Sequence, residues 1–348
     1  GSGLLFTGAE KEDAPSQIWR IDYPSGEVKQ ITNDLNNYFN LSISSDDSTI
    51  FAIKTDSVSG IWNYSVASKT ATQIVPDGNT FDGQGGITQT PDGKIIYTRR
   101  DGKDSHLWLA EADGKNPKQL TSETADDFSP IVSKDGKYIV FGSNRSGTTR
   151  IWRADIDGKN SKQLTEENPA SGDYNHVITA DSKYVIFNNA FVGDKQPSAL
   201  LKISIEGGQA SVVHSKEGFS SFQPQLSPDN KTIAYTAYNI NNFEKKLYLA
   251  EFDGNQIGKE IRTLEYNLIN RFFWSPDGKS MTYWSVDGVP NIWKTSLDGK
   301  EKQPITNFTF GRISNFTWSN DGKQLLIVRP IVNNDLILIK DVNLPKSK

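Results

Sequence analysis

A turn of the form Ser-Pro-Asp-Gly-Lys, complete at residues 275–279, recurs in altered form along this chain. Its seven copies carry Asp46-Asp47, Asp92-Gly93, Asp135-Gly136, Asp181-Ser182, Asp229-Asn230, Asp277-Gly278 and Asp321-Gly322, with successive first aspartates 46, 43, 46, 48, 48 and 44 residues apart. A period in the forties with turn residues at a fixed offset marks a repeat architecture, in which one unit cannot bury its apolar face alone and neighbours must bury it together. Most residues are thereby committed to structure, and function is restricted to what the repeats leave over.

Residues 128–165 show the plan of one unit. A short strand leads to the turn at Asp135-Gly136, and a second strand follows at 138–141. A polar loop at 143–147 precedes a third strand at 151–154, and the turn at Asp157-Gly158 leads to a fourth at 162–165. Asp-Gly suits a two-residue hairpin turn whose central positions need φ > 0. Two columns support the plan. Two residues before each anchor aspartate stands a hydroxyl, at Ser44, Thr90, Ser133, Thr179, Ser227, Ser275 and Ser319, and such a side chain can bond the turn backbone. The third strand carries a bulky residue at one place, at Trp19, Trp62, Trp108, Trp152, Leu201, Tyr248, Trp293 and Ile337. This column is expected to form the core, so Trp152→Ala should cost roughly 3–5 kcal/mol.

Four-stranded units of this length stack radially as the blades of a β-propeller. The fold class expected is therefore all-β, one propeller domain over residues 1–348. The N-terminal segment supplies second, third and fourth strands but no first, and the C-terminal segment supplies three strands but no fourth. Eight blades are expected, at about 1–32, 38–75, 85–121, 127–165, 174–214, 222–264, 269–306 and 314–341. Seven is the alternative, if one end is left over or the ring closes by sharing strands.

Composition excludes several classes of function. A net charge of −4 with Lys and Asp interspersed gives no basic stripe for nucleic acid. No apolar run reaches the roughly 18 residues of a membrane span, so no direct membrane insertion is expected. Cysteine is absent, which removes disulfides, thiol nucleophiles and Cys-based zinc sites. His106, His176 and His214 are scattered without ligand spacing, so no metal site and no cofactor is expected; metal-ligating histidines come in clusters. His176 is expected to pack between blades.

The sequence order Ser-Pro-Asp-Gly-Lys, Ile-Trp, Asp-Gly-Lys, Gln-Leu-Thr resembles the WD-like repeat of the TolB-like β-propeller family over essentially the whole chain. Further segments, Gln17-Ile18-Trp19, residues 31–38, residues 142–147 and residues 335–339, resemble the C-terminal sensor propellers of bacterial serine/threonine kinases and winged-helix regulators. These resemblances imply a non-catalytic ligand- or protein-binding module of a bacterial protein, a sensor or scaffold, extracytoplasmic and monomeric. Oligogalacturonate lyases and the gating propellers of prolyl-oligopeptidase- and tricorn-type peptidases share the repeat type. They imply the alternatives of a polysaccharide lyase or glycosidase, or of a gate for a separate hydrolase domain. No nucleophile elbow, P-loop, HExxH helix or EF-hand loop is present, and the anchor aspartates have a turn role.

Recognition is then expected on the variable loops that join blades and second to third strands, since loops on a rigid scaffold carry recognition. Six residues before each anchor lies a mostly polar column, Asn40, Gly86, Ser129, Asn175, Gln223, Arg271 and Asn315, expected around the mouth of a channel. One residue earlier come Phe39, Phe128, Tyr174 and Phe222, with Asp82, Asp127 and Arg312 nearby. Aromatics beside Arg and carboxylates suit a protein or peptide partner, or a small ligand in the channel. The candidate binding residues are Tyr38, Asn40, Asp82, Asp127, Tyr174, Asn175, Gln223, Arg271, Arg312 and Asn315.

Overall fold

The computed structural model describes residues 3–10, 15–34, 36–76, 81–100, 102–191, 197–265, 271–285 and 288–340. Parts of four expected recognition loops, at 35, 77–80, 192–196 and 266–270, lie outside the described residues. All regular structure described is β. The chain divides into two compact units, one of residues 59–330 and one of residues 1–58 with 331–348.

The larger unit contains six antiparallel sheets of four strands. Five follow the chain in order, and Tyr138–Ser143 between Asp127–Val132 and Arg150–Asp155 is representative. The sixth joins distant segments. Asn315–Trp318 pairs with the start of Gln324–Lys340, whose neighbour is Thr49–Ser65, which in turn pairs with Thr70–Val75. The innermost strands of the six sheets are Ile87–Gln89, Asp127–Val132, Ser171–Ile178, Phe219–Leu226, Phe272–Trp274 and Asn315–Trp318. Asn315–Trp318 lies against Ile87–Gln89, and the Phe273 and Phe316 rings meet edge-on at 4.9 Å, so the inner strands close a ring.

The all-β propeller expectation holds, but the eight-blade division does not describe these sheets. Residues 38–75 were expected to supply separate second and third strands joined by a hairpin. Instead Thr49–Ser65 is one strand of 17 residues, and Gln324–Lys340 is another. Residues 54–58, Lys-Thr-Asp-Ser-Val, contain neither Gly nor Pro, whereas the regular repeat turns at Asn144-Arg145-Ser146-Gly147. The early part of Thr49–Ser65 pairs with Asn37–Ile43 in the smaller unit, and its later part completes the sixth sheet of the larger. The smaller unit also holds a three-stranded sheet, Gly3–Gly8, Gln17–Asp22 and Val28–Gln30. Ile18, Tyr38, Ile50 and Ala52 form its core, with Ile337 and Ile339 packed against them.

Each first-to-second turn is fixed by its hydroxyl. In all seven copies the Ser or Thr Oγ donates to the anchor aspartate at 2.5–2.7 Å. The residue after the anchor has φ between 57° and 91° and donates its N–H back to the carbonyl of the hydroxyl residue. Only this second residue of the pair is left-handed, not both, which explains why Gly, Asn, Asp and Ser occupy it. The hydroxyl bond holds every anchor carboxyl below the ordinary range, Asp46 at about 2.

The bulky column is not the core. All eight of its members are half-buried. The residue before it is 0% exposed seven times, at Ile18, Ile61, Leu107, Ile151, Leu200, Leu247 and Ile292. Side chains alternate across a strand, and the aliphatic position faces the tighter packing. The indoles are instead roofed by arginines, with the guanidinium carbons of Arg99 and Arg145 lying 4.6 and 4.8 Å from the rings of Trp108 and Trp152. Ile151→Ala should therefore destabilise by about 2–5 kcal/mol, and Trp152→Ala by less than Ile151→Ala. Urea unfolding of both variants checks the order.

Candidate functional site

The polar column of the sequence becomes a ring in space. Gly86, Ser129, Asn175, Gln223, Arg271 and Asn315, one from each sheet of the larger unit, line a single cavity of about 400 Å³ enclosed by the innermost strands. The cavity continues past Thr88, Gln225, Phe273 and Thr317 to the turn hydroxyls Thr179 and Ser227.

A repeated backbone device shapes the mouth. Pairing of inner and second strands shifts register between Phe128 and Ile131, Tyr174 and Val177, and Phe222 and Gln225. Within these bulges Ser129, Asn175 and Gln223 have φ of 51°, 49° and 51°. A bulge bends its strand and re-aims a side chain, and small or amide residues tolerate the left-handed region better than β-branched ones. Gly86 answers to the next bulge: a Cβ there would stand 2.8 Å from Ser129 Cα and 2.6 Å from Pro130 Cδ. Ser129, Asn175 and Gln223 thus meet a backbone demand as well as lining the cavity.

The lining is unbalanced in charge. Arg271 and Lys134 contribute cations, and among the described residues no Asp or Glu belongs to it. His176 also lines the cavity, with its Nε2 3.2 Å from the Val140 carbonyl oxygen. Burial pulls its pKa down to about 4, and the nearby charge of Arg271 adds to the effect. His176 is therefore neutral at physiological pH, and it packs within the fold as expected. Asn315 is 2% exposed. Its Oδ1 accepts the Phe316 N–H at 3.0 Å, while its Nδ2 is buried with no hydrogen-bond partner among the described residues.

Four of the ten candidate residues, Asn175, Gln223, Arg271 and Asn315, come together here. The others are placed elsewhere. Asp82 accepts from Arg99 Nε and Nη2 at 2.7 and 3.1 Å, and Asp127 accepts from Arg145 Nη2 at 2.8 and 2.9 Å; both carboxylates are buried. These pairs hold the arginines that roof the indoles. Tyr174 is 37% exposed, and its ring lies over Gly172. Arg312 is exposed and is not part of the lining. Tyr38 and Asn40 belong to the smaller unit, where the buried Tyr38 hydroxyl donates to Asp34 at 2.6 Å. Lys134, Gln225 and Phe273 were missed as lining residues, although each stands at a fixed offset from an anchor aspartate. No group of three His, Cys, Asp or Glu among the described residues could hold a metal.

A family model, PD40, described as the TolB beta propeller domain, matches residues 89–268. A protein assigned as TolB from Agrobacterium tumefaciens superposes with a TM-score of 0.60 at 17% identity, over 79% of this chain and 99% of its own. TolB from Acinetobacter baumannii superposes with a TM-score of 0.53 at 14% identity, over 95% and 82%. A puromycin hydrolase S511A mutant complexed with PGG reaches 0.50 at 11% identity, over 94% of this chain and 56% of its own. At such identities these structures establish the fold alone. No curated protein matches the sequence.

The linkage of His176 to folding has a definite sign. The unfolded chain takes up the proton near 6.5 and the folded protein only near 4, so the folded state binds fewer protons between these values. The stabilisation from a neutral His176 is complete above about pH 6.5 and is lost as pH falls toward 4, by up to about 3 kcal/mol. His176→Asn should flatten that part of the stability profile, as read by urea unfolding at stepped pH.

Proposed function

The chain belongs to the TolB beta propeller domain family, and on that premise we propose that it is a non-catalytic binding module whose recognition site is the cavity within its ring of inner strands. The observation that carries the proposal is the mouth column itself. Six residues equivalent in sequence, from six sheets, line one cavity. The partner is a protein or peptide segment, or a small ligand that enters the channel. The module serves as a monomeric, extracytoplasmic sensor or scaffold of a bacterial envelope or signalling protein. The likeness to kinase-linked sensor propellers supports the sensor role, and the family likeness supports the location.

The glycosidase alternative finds no support among the described lining residues: glycoside hydrolysis in its usual form requires a pair of carboxyl groups flanking the bond, and those residues include none. A peptidase gate would leave the reaction to another domain and would itself remain a binding surface.

A plugged channel tests the reading. Gln225→Trp should fill part of the cavity, with melting temperature as the control for folding. Ligand-observed NMR with a panel of short peptides and oligosaccharides should give hits for the wild type that weaken at least tenfold in the variant, about 1.4 kcal/mol. No panel member should be turned over on prolonged incubation. Hits indifferent to the plug would remove the channel as the site, and turnover blocked by the plug would replace the binding module with an enzyme.

A further inference from the structure

Resting on the channel as the recognition site, we propose that the group it selects is a carboxylate, received by Arg271 together with the side-chain amide of Asn315. Three observations converge on this chemistry.

The first is the orientation of Asn315. Its oxygen is fixed by the Phe316 N–H at 3.0 Å, and that bond requires an acceptor at this position. The amide nitrogen is therefore the atom left without a partner, in a residue 2% exposed that lines the cavity. A buried donor left unpaired costs on the order of 1–3 kcal/mol, and a ligand acceptor relieves that cost. The ligand must then present an oxygen and not an N–H.

The second is the charge of the lining. Among the described residues, Arg271 and Lys134 are its charged members, in a chain of net charge −4. A cationic ligand would meet like charge with no carboxylate to receive it.

The third is shape. A guanidinium presents a planar fork of donors that matches the two oxygens of a carboxylate. A neighbouring carboxamide N–H adds one further donor, and Arg271 and Asn315 stand at equivalent positions on adjacent sheets of the ring. A carboxylate of this kind is supplied by an acidic side chain or chain end of a peptide, or by a uronic acid sugar.

Titration calorimetry on the full chain distinguishes these sources. The probes are an N-acetyl dipeptide with a free carboxylate, its C-terminal amide, glucuronate, glucose and inorganic phosphate. The expected result is binding of one carboxylate probe, weakened at least tenfold in its neutral counterpart. The peptide and sugar pairs identify the source. Arg271→Gln and Asn315→Asp should each weaken that probe at least tenfold. Asn315→Asp keeps the acceptor for the Phe316 N–H while replacing the donor with a negative charge, its melting temperature serves as the control for folding, and Arg271→Lys should recover part of the loss. Neutral probes that bind as tightly as carboxylates, or variants without effect, would overturn the carboxylate assignment while leaving the channel as a binding site. Phosphate bound more tightly than either carboxylate would overturn it as well. Absence of binding by every probe, alongside plug-sensitive hits from the wider panel, would likewise overturn this assignment and not the channel.

Discussion

The hydrogen bond from a Ser or Thr hydroxyl to the anchor aspartate two residues later is the contact on which the rest of the structure depends. It closes the turn between the first and second strands of a sheet, and it recurs in every copy. The anchor carboxylate also accepts the N–H two residues on in six copies, at 3.0–3.2 Å. A charged acceptor makes both bonds stronger than neutral ones would be. Because each turn is set the same way, positions along each innermost strand keep a common register from their anchor. The residue six places before the aspartate then falls at the mouth of the ring in all six sheets of the larger unit.

How far this could be read from sequence depends on whether the signal was local. The turn chemistry was legible because hydroxyl, aspartate and left-handed residue are neighbours in the chain. The mouth column was legible for the same reason, since Asn175, Gln223, Arg271 and Asn315 stand at one offset from their anchors. The division into blades was not local. Asp46 has every mark of a regular repeat, yet the hairpin expected after it is absent and Thr49–Ser65 runs straight through. The clue lay in what residues 54–58 lack, a Gly, Pro or Asn between the two expected strands. The bulky column misled for another reason. Conservation of type along repeats shows that a position has one environment, but not which face of the strand it occupies. Trp62, Trp108 and Trp152 lie under an arginine, and the aliphatic residue beside each of them takes the interior. Asp82 and Asp127 looked like recognition groups because their arginine partners, 17 and 18 residues away, are joined to them only by the fold.

The cavity differs in character from the rest of the chain. The sequence as a whole is slightly acidic, and its aspartates are concentrated in turns. Within the channel the carboxylates give way to amides, hydroxyls and two cations. The bulges contribute to this selection, because a left-handed backbone favours Asn, Ser and Gln-type residues over branched ones. Geometry and electrostatics therefore act together at the mouth, and a single backbone irregularity yields both the polar ring and the direction in which it points.

The sixth sheet carries a consequence for the way the protein comes into being. Its two inner strands come from residues 315–330 and its two outer strands from residues 59–75, so it is a clasp whose halves lie far apart in the chain and are made at different times. The earlier half must wait, with an open ladder of backbone groups, while some 240 residues are added. Contacts this distant in sequence are slow to form, and an unpaired strand edge invites association with other chains in the interval. A nascent ring of this kind therefore passes through a vulnerable period that ends only when its last strands leave the ribosome.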